Sequence, residues 1–147
     1  MTDLTELADR VQRLEDREAI HGLFMRYRQY LDEKDFSGYA SLFAEEGEFV
    51  AAVGTAKGRA GIQECVDGMR GSLLTAVAGN DLHIVVNPEI SVDGDHATAR
   101  STWIYLVRGD DDGPTLSKVG HYEDELVREN GEWRFARRFA PMDMPAI

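Results

Sequence analysis

Apolar residues recur at helical spacing through the first third of the chain and give way to long strand-like runs after it. Leu4, Leu7, Val11 and Leu14 form a first stripe. The stripe is lost at Arg17 and Glu18. It resumes, rotated, with Ile20, Leu23, Phe24, Tyr27 and Leu31. This pattern predicts two helical pieces with a break near Asp16, which would cap the second. Asp35 is placed to cap another helix, carrying Phe36, Tyr39, Ala40, Leu42 and Phe43. A turn over 44–47, a strand over 48–53 and a turn at Gly54 and Thr55 should follow. Gly58 opens a third helix with Ile62, Val66, Met69, Leu73 and Leu74. Gly68 and Gly71 weaken it, each by up to ~1 kcal/mol relative to Ala. Strands are expected over 82–92, 96–108, 115–128 and 132–140, and a short tail lies between Pro141 and Pro145. Turn signals separate them: Asp93, Gly94 and Asp95, a polar loop over 109–114, and Asn130 with Gly131. Helices first and hairpin-linked strands after them make the class α+β with a mostly antiparallel sheet.

Several strands are apolar at successive positions rather than alternating. Residues 82–86 and 103–107 are the clearest runs. A sheet apolar on both sides needs both sides covered. Three helices cover one face, so a second subunit is expected on the other, in a homodimer or larger homo-oligomer. The 147 residues suit one domain, 1–147, with one core. The net charge of −11 argues against nucleic acid and anionic membrane surfaces as partners. A single cysteine, Cys65, excludes an internal disulfide and reads as a packed thiol. No apolar run reaches the ~18 residues of a membrane span, and the N-terminus is polar, so a cytoplasmic protein is expected.

Two side chains stand out chemically. Asp32 sits at the edge of the apolar stripe in the last helical turn, where the helix dipole favours cations. It is either a solvated helix end, as Glu33 reads, or a residue kept there for function. His83 begins a strand in an apolar setting, where a lone histidine is usually a core residue with its hydrogen bond satisfied. His21 falls on the polar side of its helix and His96 follows a turn. No His, Cys or Asp spacing points to a metal, and there is no phosphate loop or serine elbow. No cofactor is implied.

The segment from Leu14 to Ile20, then Arg26 and Tyr27, Leu31 and Asp32, and Asp35 and Phe36 resembles the opening of SnoaL-like proteins, in the nuclear transport factor two-like or cystatin-like superfamily. The resemblance runs on through Gly58 to Ile62, His83, Val92 to Gly94, Ala97 to Arg100 and Gly120 to Leu126, and closes at Gly131 to Phe135. It implies a cone-shaped fold, a curved sheet wrapped around the N-terminal helices with an internal cavity. It also implies a pairing. Relatives that perform eliminations, such as scytalone dehydratase and hexachlorocyclohexane dehydrochlorinase, join an Asp at the end of the long helix to a His at this strand position. Asp32 and His83 match those positions. The carboxylate would fix the imidazole tautomer and leave the other nitrogen as a base. Tyr27, Phe49, Trp103, Tyr105 and Tyr122 are expected as cavity walls. Arg138 matches an arginine of the dehydrochlorinase and is expected to be exposed, to pair with Asp124, or to meet a substrate's developing negative charge. Leu31 stands where scytalone dehydratase has a tyrosine, and the strand from Ala97 to Val107 lacks its second histidine, which puts that dehydration in doubt. The resemblance thus implies a cofactor-independent lyase or isomerase acting on a small hydrophobic cyclic molecule. The alternative is a non-catalytic binding protein, or an accessory subunit like the small subunit of ring-hydroxylating dioxygenases.

Overall fold

A computed structural model describes residues 3–52, 54–69 and 77–145. Helix α1 runs unbroken from Leu4 to Glu33. The expected break at Asp16 is absent. Its carboxylate is turned inward, 4% exposed, and accepts from both Arg128 Nη atoms at 2.9 Å and from Trp133 Nε1 at 3.1 Å. A buried acid with its own partners interrupts the apolar stripe without interrupting the helix. Asp3 caps the N-terminus instead, accepting from the Glu6 amide. At the other end Lys34 adopts a left-handed conformation, φ 63°, and closes the last turn.

Asp35 caps α2, Phe36–Ser41, as its spacing predicts. Strand β1, Phe43–Ala51, starts five residues earlier than expected. A register shift between Phe43 and Glu48 absorbs the polar stretch that reads as a turn in the sequence. Gly54–Lys57 forms strand β2 against β1 rather than a turn. Helix α3 spans Gly58–Gly68, and the expected Leu73 and Leu74 lie outside the described residues. Then come β3 (Asp81–Asp93), β4 (His96–Arg108), β5 (Pro114–Glu129) and β6 (Glu132–Ala140). The tail contributes a last short strand, β7 (Met142–Met144), paired with β5.

The seven strands make one open, curved sheet in the order β2-β1-β6-β5-β4-β3, with β7 added beside β5. It is mixed, because β1 runs parallel to β6 while the other pairs are antiparallel. The helices bury one face. Ile20, Leu23, Phe24, Tyr27 and Leu31 of α1 meet Phe43, Tyr122, Leu126 and Phe135 in the core, where the Phe24 and Phe135 rings stack at 5.9 Å. On the opposite face Ile104 lies between Ile84 and Val119, and Leu106 between Leu82 and Leu116, across three strands. None of these six is buried, although all are apolar.

Candidate active site

The site begins where α1 ends. Leu31 points into the core, so Asp32 one residue on lies at its margin, half-buried beside the start of β3. His83 is the third residue of β3 and faces the same core, 8% exposed. The two side chains meet. Asp32 Oδ1 lies 2.7 Å from His83 Nδ1. The same carboxylate accepts the His83 backbone N–H at 3.0 and 3.2 Å, and Arg28 Nη1 at 3.2 Å from one helical turn back. These donors offset the unfavourable position of an acid at a helix C-terminus. A carboxylate only accepts, so the imidazole donates from Nδ1, and Nε2 is left unprotonated in the neutral ring. Nε2 has no hydrogen-bond partner among the described residues, and His83 lines the cavity.

The cavity has a volume of about 110 Å³. Its described walls include Tyr27 and Leu31 from α1, Tyr39 from α2, Phe49 from β1, and Trp103, Tyr105 and Tyr122 from the central strands. The five aromatic residues expected as walls are therefore all there. Tyr39 was not foreseen; its hydroxyl lies 2.9 Å from that of Tyr27. Burial pushes the hydroxyls of Tyr27, Tyr39 and Tyr122 up, those of Tyr39 and Tyr122 well above the usual phenol range. They remain neutral hydrogen-bonding groups over any ordinary pH.

Arg138 is placed otherwise. It is fully buried and is not among the described residues that line the cavity. Its Nε and Nη2 hold the Asp124 carboxylate at 2.8 and 2.7 Å, and its Cζ lies 3.7 Å from the Tyr122 ring centre and 4.2 Å from that of Tyr27. The guanidinium is thus committed to a carboxylate behind the tyrosine wall, and the expectation that it meets a substrate is revised. Burial pushes the Asp124 carboxyl up while the guanidinium pulls against it. An arginine held this way keeps its charge, so the two form a buried ion pair, with Nη1 buried and without a hydrogen-bond partner among the described residues.

A model of the SnoaL-like domain matches residues 12–139. The chain belongs to the SnoaL-like family. It is similar to an NTF2-like protein with a cystatin-like fold from Novosphingobium aromaticivorans, at 31% identity and TM-score 0.88, covering 99% of this chain and 94% of that one. A protein from the same organism assigned as a scytalone dehydratase shares 26% identity at TM-score 0.74, over 90% of this chain and 87% of that one. Another, assigned as the β subunit of an aromatic-ring-hydroxylating dioxygenase, shares the fold at 17% identity and TM-score 0.75, over 92% and 94%. No curated protein matches the sequence.

Within this SnoaL-like fold a second contact docks α1 onto β3. Lys34 forms an ion pair with Asp81, and Asp81 Oδ2 accepts the Tyr105 hydroxyl at 2.8 Å. Tyr105 in turn lies against His83, ring centres 4.7 Å apart. Asp81 and Lys34 were not foreseen, since nothing in their local spacing marks them. Arg28 was legible in principle, because it stands four residues before Asp32 on one helix face. Of the other histidines, His121 pairs with Asp143 at 2.7 Å and His96 is exposed. Cys65 is half-buried, and burial pushes its thiol up, the opposite of a reactive cysteine. Among the described residues no cluster of His, Cys, Asp and Glu could hold a metal, and no helix is long and apolar enough to cross a membrane.

Proposed function

We propose that this SnoaL-like protein is a cofactor-independent lyase or isomerase that removes a proton from carbon in a small hydrophobic, cyclic molecule. The observation that carries this reading is the 2.7 Å contact between Asp32 and His83 on the wall of an apolar cavity. Asp32 orients the imidazole and His83 Nε2 takes the proton. The apolar walls exclude water and strengthen the pairing. The Tyr27 and Tyr39 hydroxyls supply neutral polar contacts to the bound molecule. We further infer a homo-oligomer in the cytoplasm.

The test is deuterium uptake from D2O into a panel of neutral cyclic ketones and enones, read by mass spectrometry together with any loss of water or halide. Wild-type protein should label or convert at least one of them. His83→Ala should be slower by roughly 10²–10⁴-fold, the usual contribution of a general base. Asp32→Asn should retain the fold and lose activity through misorientation of the ring. Activity unchanged in His83→Ala would refute the reading. The second reading is a ligand-binding or accessory subunit, and the likeness of fold to a dioxygenase β subunit favours it. It predicts ligand capture with no labelling in any variant.

A further inference from the structure

Lys118 is the one lysine or arginine among the described residues that line the cavity. It is half-buried, and no carboxylate of a described residue lies within ion-pair distance of it, although the chain carries 27 acidic residues. Its contact is with a ring: Nζ lies 5.6 Å from the centre of Tyr105. The sheet register explains the placement. His83 on β3 pairs with Tyr105 on β4, and Tyr105 pairs with Lys118 on β5. Directly opposed residues share a face, so the three form one cross-strand row on the cavity side. Tyr105 is held between the imidazole and the ammonium, and Asp81 anchors its hydroxyl. The base and the free cation stand two strand spacings apart, about 10 Å at the backbone.

We propose that Lys118 is a catalytic residue that receives the oxygen of an enolate, and that the substrate is a neutral cyclic ketone or enone. The proposal rests on proton abstraction by His83. In the reaction, the C–H bond next to the carbonyl breaks and the proton passes to His83 Nε2. The electron pair moves onto the carbonyl oxygen, which the Lys118 ammonium stabilises. Return of the proton at another carbon gives an isomer. Expulsion of a leaving group β to the carbonyl gives an elimination product, and the electron pair leaves with that group. Neither path needs an oxidant or reductant. The whole-chain charge of −11 repels a substrate that arrives as an anion. A neutral molecule enters freely and becomes anionic only at the ammonium, so Lys118 acts mainly on the transition state.

The probe is 4-nitrophenol, an enolate mimic whose visible absorption distinguishes phenol from phenolate. It is titrated with protein near its own ionisation pH. Wild-type protein is expected to bind it as phenolate. Lys118→Met should weaken phenolate binding by roughly tenfold or more, the scale of one hydrogen bond to a charged group. Lys118→Arg should restore it, and His83→Ala should leave it in place. The proposal is overturned if wild-type protein takes the neutral phenol or binds neither form. It is equally overturned if Lys118→Met binds phenolate as well as wild type, or if the preference disappears in His83→Ala. Failure here and failure of the base are separable. Deuterium exchange lost in His83→Ala without phenolate capture removes Lys118 alone. Phenolate capture with exchange indifferent to His83 removes the base alone.

Discussion

Single side chains in this molecule carry more than their positions advertise. Asp16 reads as a helix cap and is a buried anchor between α1 and the β5–β6 hairpin. The Arg128 guanidinium holds its carboxyl below the usual range. The stabilisation from Asp16 is therefore complete above its unfolded value, near ~3.9, and is lost as pH falls through the depressed folded value. Asp16→Asn should lower the melting temperature at neutral pH and flatten its fall in acid, as calorimetry across that pH range would show. The Asp124–Arg138 pair behaves differently. Both groups are buried, so removing one strands a charge. Arg138→Met should cost about 3–5 kcal/mol by urea unfolding, and the double variant Arg138→Met with Asp124→Leu should recover much of it. At this scale the sequence was readable where a residue broke a local rule. Asp32 opposes the helix dipole, a conflict that made it a candidate beside the reading of a solvated helix end, and the family resemblance supplied His83 as its partner. Lys118 and Asp81 break no rule of their neighbourhood. Lys118 meets Tyr105, opposite it across the sheet, and Asp81 meets Lys34 at the end of α1 and Tyr105 on the next strand, pairings that the sequence alone does not show.

At the scale of elements, strands β4 and β6 have the bounds that the turn signals at their ends imply. Elements whose signal was local and competing were misread. The polar residues that mimic a turn before Glu48 belong to a strand with shifted register, and three residues between two prolines are enough to add β7. That last strand constrains its neighbour. Gly120 pairs with Trp103 on one side and Met142 on the other, and a Cβ there would collide with the Pro141 carbonyl and the Trp103 indole. Trp103 is also a wall of the cavity, tied by its Nε1 to the His121 carbonyl at 3.1 Å. Gly120→Ala should therefore destabilise the protein by about 1–3 kcal/mol and move the indole. Chemical unfolding and tryptophan fluorescence would read the two effects separately.

For the whole molecule, the sheet faces two ways. One face holds the helices and the cavity. The other presents Leu82, Leu116 and their neighbours on β3, β4 and β5, with Leu82 42% and Leu116 60% exposed. The run of successive apolar residues that predicts this was visible in the sequence, because a strand with only one buried face would alternate. The expected outcome is a homodimer or larger assembly by light scattering at micromolar concentration. Ile104→Lys should shift it toward monomer while leaving the fold intact by circular dichroism. A wild-type monomer would mean that the apolar outer face has no copy of this chain on it.

Side-chain NMR of protein with 15N-labelled histidine addresses the dyad itself, without a known substrate. The nitrogen shifts of a neutral imidazole distinguish which nitrogen carries the proton. With Asp32 accepting at 2.7 Å, neutral His83 should hold its proton on Nδ1 and leave Nε2 free to take another. In Asp32→Ala that preference should disappear. A neutral His83 protonated mainly on Nε2 in the wild-type protein would contradict it, because the nitrogen assigned as the base would already be occupied.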